Sequence, residues 1–154
     1  MGAGGSTELP LHDRIGHLVK RAEQAVAARK TQALRAVDLT VPQYTALLVL
    51  DAEPRLSGAQ LARRCGVTPQ TTAALLATLE TKALITRTVS TEHSQVMLAA
   101  LTRHGRAVLR RADRLAVSIE QHLAEAFSDG DRERLVKLLE HAISTLETHE
   151  VSSS

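Results

Sequence analysis

Apolar positions along the first part of the chain recur at a spacing that places them on one side of a helix. Leu11, Ile15, Leu18, Ala22, Val26, Ala33 and Leu34 form that stripe, and no glycine or proline interrupts it after Gly16. The pattern predicts one long helix from about Leu9 to Val37. Val41-Pro42 opens a second, with Thr40 as N-cap and Pro42 in the first turn, where a missing N–H costs nothing. That helix carries Tyr44, Leu47, Leu48 and Leu50 and stops near Ala52-Glu53-Pro54.

The stretch LSGAQLARRCGVTPQTTAALLATLETKALI reads as two short helices. Ser57 is an N-cap, Leu61-Ala62 supply the apolar face of the first, and Gly66 can take the positive φ that ends it. Thr68 then caps a helix with Pro69 at its first position and Leu75, Leu76 and Leu79 facing inward. Two helices joined by a glycine-containing turn make a helix-turn-helix. After Lys82 the period becomes strand-like. Leu84–Val89 is rich in β-branched residues, Gln95–Leu98 is apolar, and Ser90–Ser94 between them fits a hairpin tip. Thr102 caps a long helix to about Phe127, with Val108, Leu109, Leu115, Ile119, Leu123 and Phe127 as its apolar positions. The turn Ser128-Asp129-Gly130-Asp131 leads to a last helix bearing Leu135, Leu138, Leu139, Ile143 and Leu146.

The expected fold is mainly α with a small β-hairpin wing: a winged helix-turn-helix over residues 40–101, between helical segments at 9–37 and 102–148. Residues 1–8 and 149–154 read as flexible tails, leaving 9–148 as a single domain. The apolar faces of the outer helices exceed what a small winged domain can cover. They pack either against a second copy or as a bundle within the chain.

Composition narrows this picture. With aromatics at only 1% of residues, the core must be built from Leu, Val, Ile and Ala, which favours helices. No run of about 18 apolar residues predicts a membrane-spanning helix, so no membrane partner is expected. MGAGGSTELP lacks the basic-then-apolar pattern of a signal peptide, and the lone Cys65 fits a reducing cytoplasm. From Arg55 to Arg111 there are nine basic residues and only two acidic ones, Glu80 and Glu92, whereas the whole chain has a net charge of +2. A basic segment between acidic flanks is the footprint of a polyanion binder, or else an ordinary solvated face. There is no glycine-rich phosphate loop, nucleophile elbow or paired carboxylate, which speaks against an enzyme. The seven histidines are scattered without metal-ligand spacing, so neither metal nor cofactor is expected.

The segments LSGAQLARRCGVTPQTTAALLATLE, LITR and LTRHGRAVL, in this order, resemble the MarR family of bacterial transcription regulators. The likeness runs from about residue 10 to residue 148. Leu101-Thr102-Arg103-His104-Gly105 matches the family's leucine-threonine-x-x-glycine, which opens its dimerising helix. The resemblance implies a homodimer whose two winged domains straddle pseudo-palindromic double-stranded DNA, with repression the usual sign. It also implies a small anionic or phenolic ligand in many members, and thiol oxidation in others. Family redox sensors carry their thiol in the first helix. Cys65 instead lies in the helix-turn-helix turn, where it reads as an oxidation sensor or as a small core residue.

In a helix-turn-helix the second helix enters the major groove, and its N-terminal residues meet base edges. These are Thr68, Pro69, Gln70 and Thr71, with outward Ala73 and Ala74. Gln70 suits adenine, and the Thr and Ala methyls suit thymine. Arg63, Arg64, Lys82, Arg87 and Arg103 are the candidates for phosphate contacts. Relatives carry an Asp-x-Arg near the wing tip. Val89–Gln95 has no arginine, so only His93 offers a partial cation there, beside the repelling Glu92. The expected binding is weaker, or leans more on DNA shape. A ligand cleft is expected where the first and second helices and the start of the fifth meet the winged domain. His12, Arg14, His17, Tyr44 and Arg55 are its candidate lining, each also readable as an ordinary surface or interface residue. The alternative function is a winged-helix dimer that acts through protein contacts, as an antirepressor.

Overall fold

The computed structural model describes residues 9–148, so the two expected tails lie outside the described residues. Contacts divide the chain into two compact units after Ala116.

The first unit begins with a short 3-10 turn, Leu11–Asp13, followed by α1 (Ile15–Leu34) and a second 3-10 turn, Arg35–Val37. The single helix expected over 9–37 is therefore broken at both ends. Arg14 is extended (φ −79°, ψ 110°), so helical hydrogen bonding restarts after it. Asp38 stops the far end in the left-handed region, at φ 53°. Asp tolerates that conformation better than most residues. Here it is clasped by Lys82, whose Nζ lies 3.0 Å from Asp38 Oδ2 and donates to the Asp38 carbonyl as well.

α2 (Val41–Ala52) and α3 (Gly58–Cys65) each open on a reciprocal capping box. Thr40 Oγ1 accepts from the Gln43 N–H at 3.3 Å while Gln43 Oε1 accepts from the Thr40 N–H at 3.1 Å. Ser57 and Gln60 repeat the exchange at 3.2 and 2.9 Å. Gly66 ends α3 at φ 66°, where a glycine carries no Cβ penalty. α4 (Pro69–Thr81) follows from the Thr68 cap. Its inward face is Thr72, Leu76 and Leu79, with Leu75 only half-buried. Thr72 is tolerated inside because its hydroxyl donates to the Thr68 carbonyl at 3.1 Å.

The wing is a three-stranded antiparallel sheet in the order β1-β3-β2, with β1 Leu56–Ser57, β2 Ile85–Val89 and β3 Met97–Leu101. β3 lies about two residues later than the run Gln95–Leu98 predicts. The register Ile85↔Leu101 buries both residues, and Val89↔Met97 closes the ladder at the tip. β1 was not legible as a strand; its partner on β3 is more than forty residues away, at Leu56↔Ala99.

A tight joint connects the wing to α5 (Arg103–Glu125). The Leu84 carbonyl accepts from the Thr102 N–H at 3.0 Å, and Thr102 Oγ1 donates to the Ala83 carbonyl at 2.7 Å. That same oxygen accepts from the Gly105 N–H at 2.8 Å. Gly105 is pressed onto this turn so closely that an added Cβ would sit 1.9 Å from the Leu84 carbonyl oxygen. Beyond it, Leu109, Ala112 and Ala116 bury against a core of Leu34, Leu47, Leu50, Leu61, Leu79, Leu84 and Ile85.

The second unit holds the remainder of α5 and α6 (Asp129–Glu147). Ser128 caps α6 by accepting from the Asp131 N–H, and Asp129 and Asp131 oppose the positive end of its dipole. α6 buries no residue, and Leu135, Val136, Leu138, Leu139, Ile143 and Leu146 are all exposed.

Gly105→Ala should destabilise the fold by about 3 kcal/mol or more, since the clash is with backbone and cannot be relieved by a rotamer change. Gly16→Ala, at a helical position with nothing within 4 Å, should be neutral or stabilising by up to about 1 kcal/mol. Denaturant unfolding of the two variants checks the contrast.

Candidate nucleic-acid interface

The helix-turn-helix offers one face of α4 to solvent. Gln70, Ala73, Ala74, Ala77, Thr78 and Thr81 are all exposed, opposite the buried Thr72, Leu76 and Leu79. At the N-terminus, Thr68 Oγ1 accepts from the Thr71 N–H at 3.1 Å, and the two threonine hydroxyls pair at 2.9 Å. Pro69 and Gln70 lie exposed in the first turn. Thr68, Pro69, Gln70, Thr71, Ala73 and Ala74 are thus brought together on one accessible surface.

The predicted phosphate contacts divide into two groups. Arg64 forms a bidentate pair with Glu53, Nε to Oε1 at 2.7 Å and Nη2 to Oε2 at 2.9 Å. Hydrogen bonding from Arg64 holds the Glu53 carboxyl below its ordinary pKa, and Glu53 raises that of Arg64. The sign follows directly: any contribution of this pair is complete above the ordinary carboxylate pKa and is lost as pH falls through the lowered value. Near neutrality Arg64 is therefore compensated. Lys82 is held by Asp38 and also lies 3.4 Å from Gln43 Oε1, which fastens the end of α4 to the turn before α2. Arg87 on β2 sits 3.8 Å from Glu80 on α4. Arg63 and Arg103, both exposed, have no acidic partner among the described residues. Sequence reasoning had no means of separating these two from the others, because the partners come from other elements.

At the wing tip, the Ser90 hydroxyl accepts from the N–H groups of Glu92 and His93 at 3.2 Å each. The tip is therefore a hydrogen-bonded turn with both side chains exposed. Exposed Arg106, Arg110 and Arg114 continue from Arg103 along one side of α5. Their spacing of three and four is a signal that could have placed them beside Arg103.

The candidate ligand residues are dispersed in character. Tyr44 is buried on α2, and its hydroxyl donates to Asp113 Oδ1 on α5 at 2.7 Å. Asp113, 69 residues away, carried no sequence signal. His12 pairs with its neighbour Asp13 at 3.5 Å, and the Arg14 Nε donates to the Leu9 carbonyl at 2.8 Å. His17 is half-buried, whereas Arg55 is exposed in a left-handed conformation at φ 65°. Cys65 packs half-buried against the core, and burial pushes its thiol pKa up. Both facts favour the packing role for this side chain over the sensing one.

A core-anchored second helix with an open outer face, followed by an antiparallel wing, defines a winged helix-turn-helix protein. The family model described as MarR family matches residues 37–95. The fold is similar to that of the transcriptional repressor CouR bound to a 23-mer DNA duplex. That match has a TM-score of 0.80 and 30% identity, and covers 89% of this chain and 99% of that one. The HTH-type transcriptional repressor Rv2887 of Mycobacterium tuberculosis is 29% identical over 126 residues, 82% of this chain and 91% of the relative. The structure of Rv2887 in complex with p-aminosalicylic acid matches with a TM-score of 0.69 and 28% identity, over 84% of this chain and 98% of that one. The chain belongs to the MarR family of winged-helix transcription regulators.

The folded protein should react with iodoacetamide at Cys65 far more slowly at pH 7 than the urea-unfolded chain does. The rate should rise only as the pH climbs past the ordinary thiol value of about 8.5. Fast labelling of the folded protein at pH 7 would instead mark a reactive thiol.

Proposed function

We propose that this protein is a homodimeric repressor that binds a pseudo-palindromic DNA duplex in the cytoplasm and is released by a small anionic or phenolic ligand. The observation that carries the reading is α4, anchored through Thr72, Leu76 and Leu79 with its opposite face exposed for a groove. That CouR is described bound to a DNA duplex, and Rv2887 bound to p-aminosalicylic acid, supports both halves of the reading.

The dimer is supported by the exposed leucines of α6 together with Ile15, Leu18 and Val19 of α1, more apolar surface than a monomer ordinarily leaves in water. In this reading residues 9–37 and 102–148 supply the dimerisation helices and 40–101 the winged domain. Thr68, Pro69, Gln70, Thr71, Ala73 and Ala74 face bases. Arg63 and Arg103 are the principal phosphate contacts. Arg64, Lys82 and Arg87 contribute less, because each already has an acid beside it. His93 is the only wing-tip group able to offer a cation. Tyr44, with His12, Arg14, His17 and Arg55, lines the ligand site. No catalytic role is assigned to any residue.

Fluorescence anisotropy of the dimer on its own upstream DNA, across a salt series, tests the reading. Saturable binding that survives excess competitor DNA is the expected outcome; its absence would favour action through protein contacts. Arg63→Ala and Arg103→Ala should each lower the steepness of log K against log salt by about one, and Arg64→Ala by less. Glu92→Arg should tighten binding, and unchanged affinity would put the wing away from DNA.

A further inference from the structure

The outer face of α4 has a chemical character that decides which bases it can read. Between Pro69 and Thr81 there is no arginine, lysine or histidine, and the one charged residue, Glu80, is turned toward Arg87 on the wing. The exposed row is Gln70, Ala73, Ala74, Ala77, Thr78 and Thr81. Its threonine hydroxyls do not point their hydrogens outward. Thr78 Oγ1 donates to the Ala74 carbonyl at 3.0 Å, and Thr81 Oγ1 to the Ala77 carbonyl at 2.9 Å. Thr68 and Thr71 share one hydroxyl hydrogen between them at 2.9 Å. Pro69 has no N–H, and the Thr71 N–H is taken by Thr68. The donors left for base edges are the Gln70 carboxamide, the Gln70 backbone N–H and a single spare hydroxyl hydrogen, all at the helix start. Beyond the helix start, the row presents methyls and the Thr78 and Thr81 hydroxyl oxygens, which act there only as acceptors.

Guanine offers only acceptors, N7 and O6, in the major groove, and is read by paired donors such as a guanidinium. This helix lacks such a pair beyond Gln70. Thymine offers a C5-methyl that packs on Ala and Thr methyls, and adenine offers the donor–acceptor pair that matches one carboxamide. The short side chains also let the helix backbone approach the base edges closely.

We propose that α4 selects its half-site by thymine methyls, with Gln70 reading one adenine, and that the base pairs facing this helix are A·T rather than G·C. The inference rests on the DNA-binding reading above and names what that surface recognises. Arg63 and Arg103 then supply affinity that is indifferent to sequence, and the methyl row supplies the choice of site.

The test starts from duplexes that the full-length protein selects from a pool with a randomised 24-base-pair centre. Thymines of the selected half-sites are then replaced singly by deoxyuridine, which removes only the C5-methyl, and binding is measured by competition. Each replacement facing α4 should weaken binding about three- to fivefold, the worth of one buried methyl. A C·G pair at the same position should bind worse than the pair made with 5-methylcytosine, which restores the methyl. Gln70→Ala, an exposed position outside the core, should erase about tenfold of discrimination at one adenine. Deoxyuridine without effect throughout, or a selected core that requires G·C facing α4, would overturn the inference and leave the regulator reading intact. Enrichment of no duplex at all would overturn the regulator reading itself.

Discussion

The carbonyl oxygen of Leu84 is the point on which the rest of the winged domain depends. It lies where α4 has ended and the wing begins, accepts from the Thr102 backbone, and has Gly105 packed directly over it. Thr102 completes the joint by donating to Ala83 and accepting from Gly105. A buried carbonyl needs such a partner, and the close approach that provides it is open only to a residue without a Cβ. The match of Leu101–Gly105 to a family motif thus has a mechanical content. The strand that enters the joint, β3, and the helix that leaves it, α5, are held to the root of β2 through a few short hydrogen bonds.

Much of the fold is legible in local sequence because its devices are local. The caps Thr40, Ser57 and Thr68, the prolines after two of them, and Gly66 at its positive φ all act within four residues of their own position, whereas the turn expected over Ser128–Asp131 is instead the capped first turn of α6. What was not legible is set by distant partners. The two-residue β1 exists only because β3 pairs with it, and the register of β3 follows from burying Leu101 opposite Ile85. The break at Arg14 was hidden because the apolar period continues through it. In the candidate interface, residue types and exposure were readable from the helix period, whereas the state of each cation was not. Arg64, Lys82 and Arg87 look like Arg63 and Arg103 in sequence, yet Glu53, Asp38 and Glu80 have already answered their charge.

These pairings change what the basic central segment means. Its excess charge is real, but part of it fastens elements together: α2 to α3 through Glu53 and Arg64, and α4 to β2 through Glu80 and Arg87. Such exposed pairs contribute little stability individually. Their larger effect is to withdraw cations from the solvent face, so that the uncompensated field is confined to fewer positions. Orientation on a polyanion is better defined by a few fixed charges than by a uniformly basic surface.

The alanines at positions 73, 74 and 77 also bear on how such a protein diversifies. Their side chains are exposed, can form no hydrogen bond of their own, and sit on a helix whose folding is secured by its other face. Exchanging one for a longer polar residue asks almost nothing of the core, yet it would add a new donor or acceptor on the face proposed to meet bases. On that proposal, the address read by this surface is free to drift without the scaffold drifting with it. Duplicated copies of such a chain could part ways in the sites they occupy long before they differ in fold.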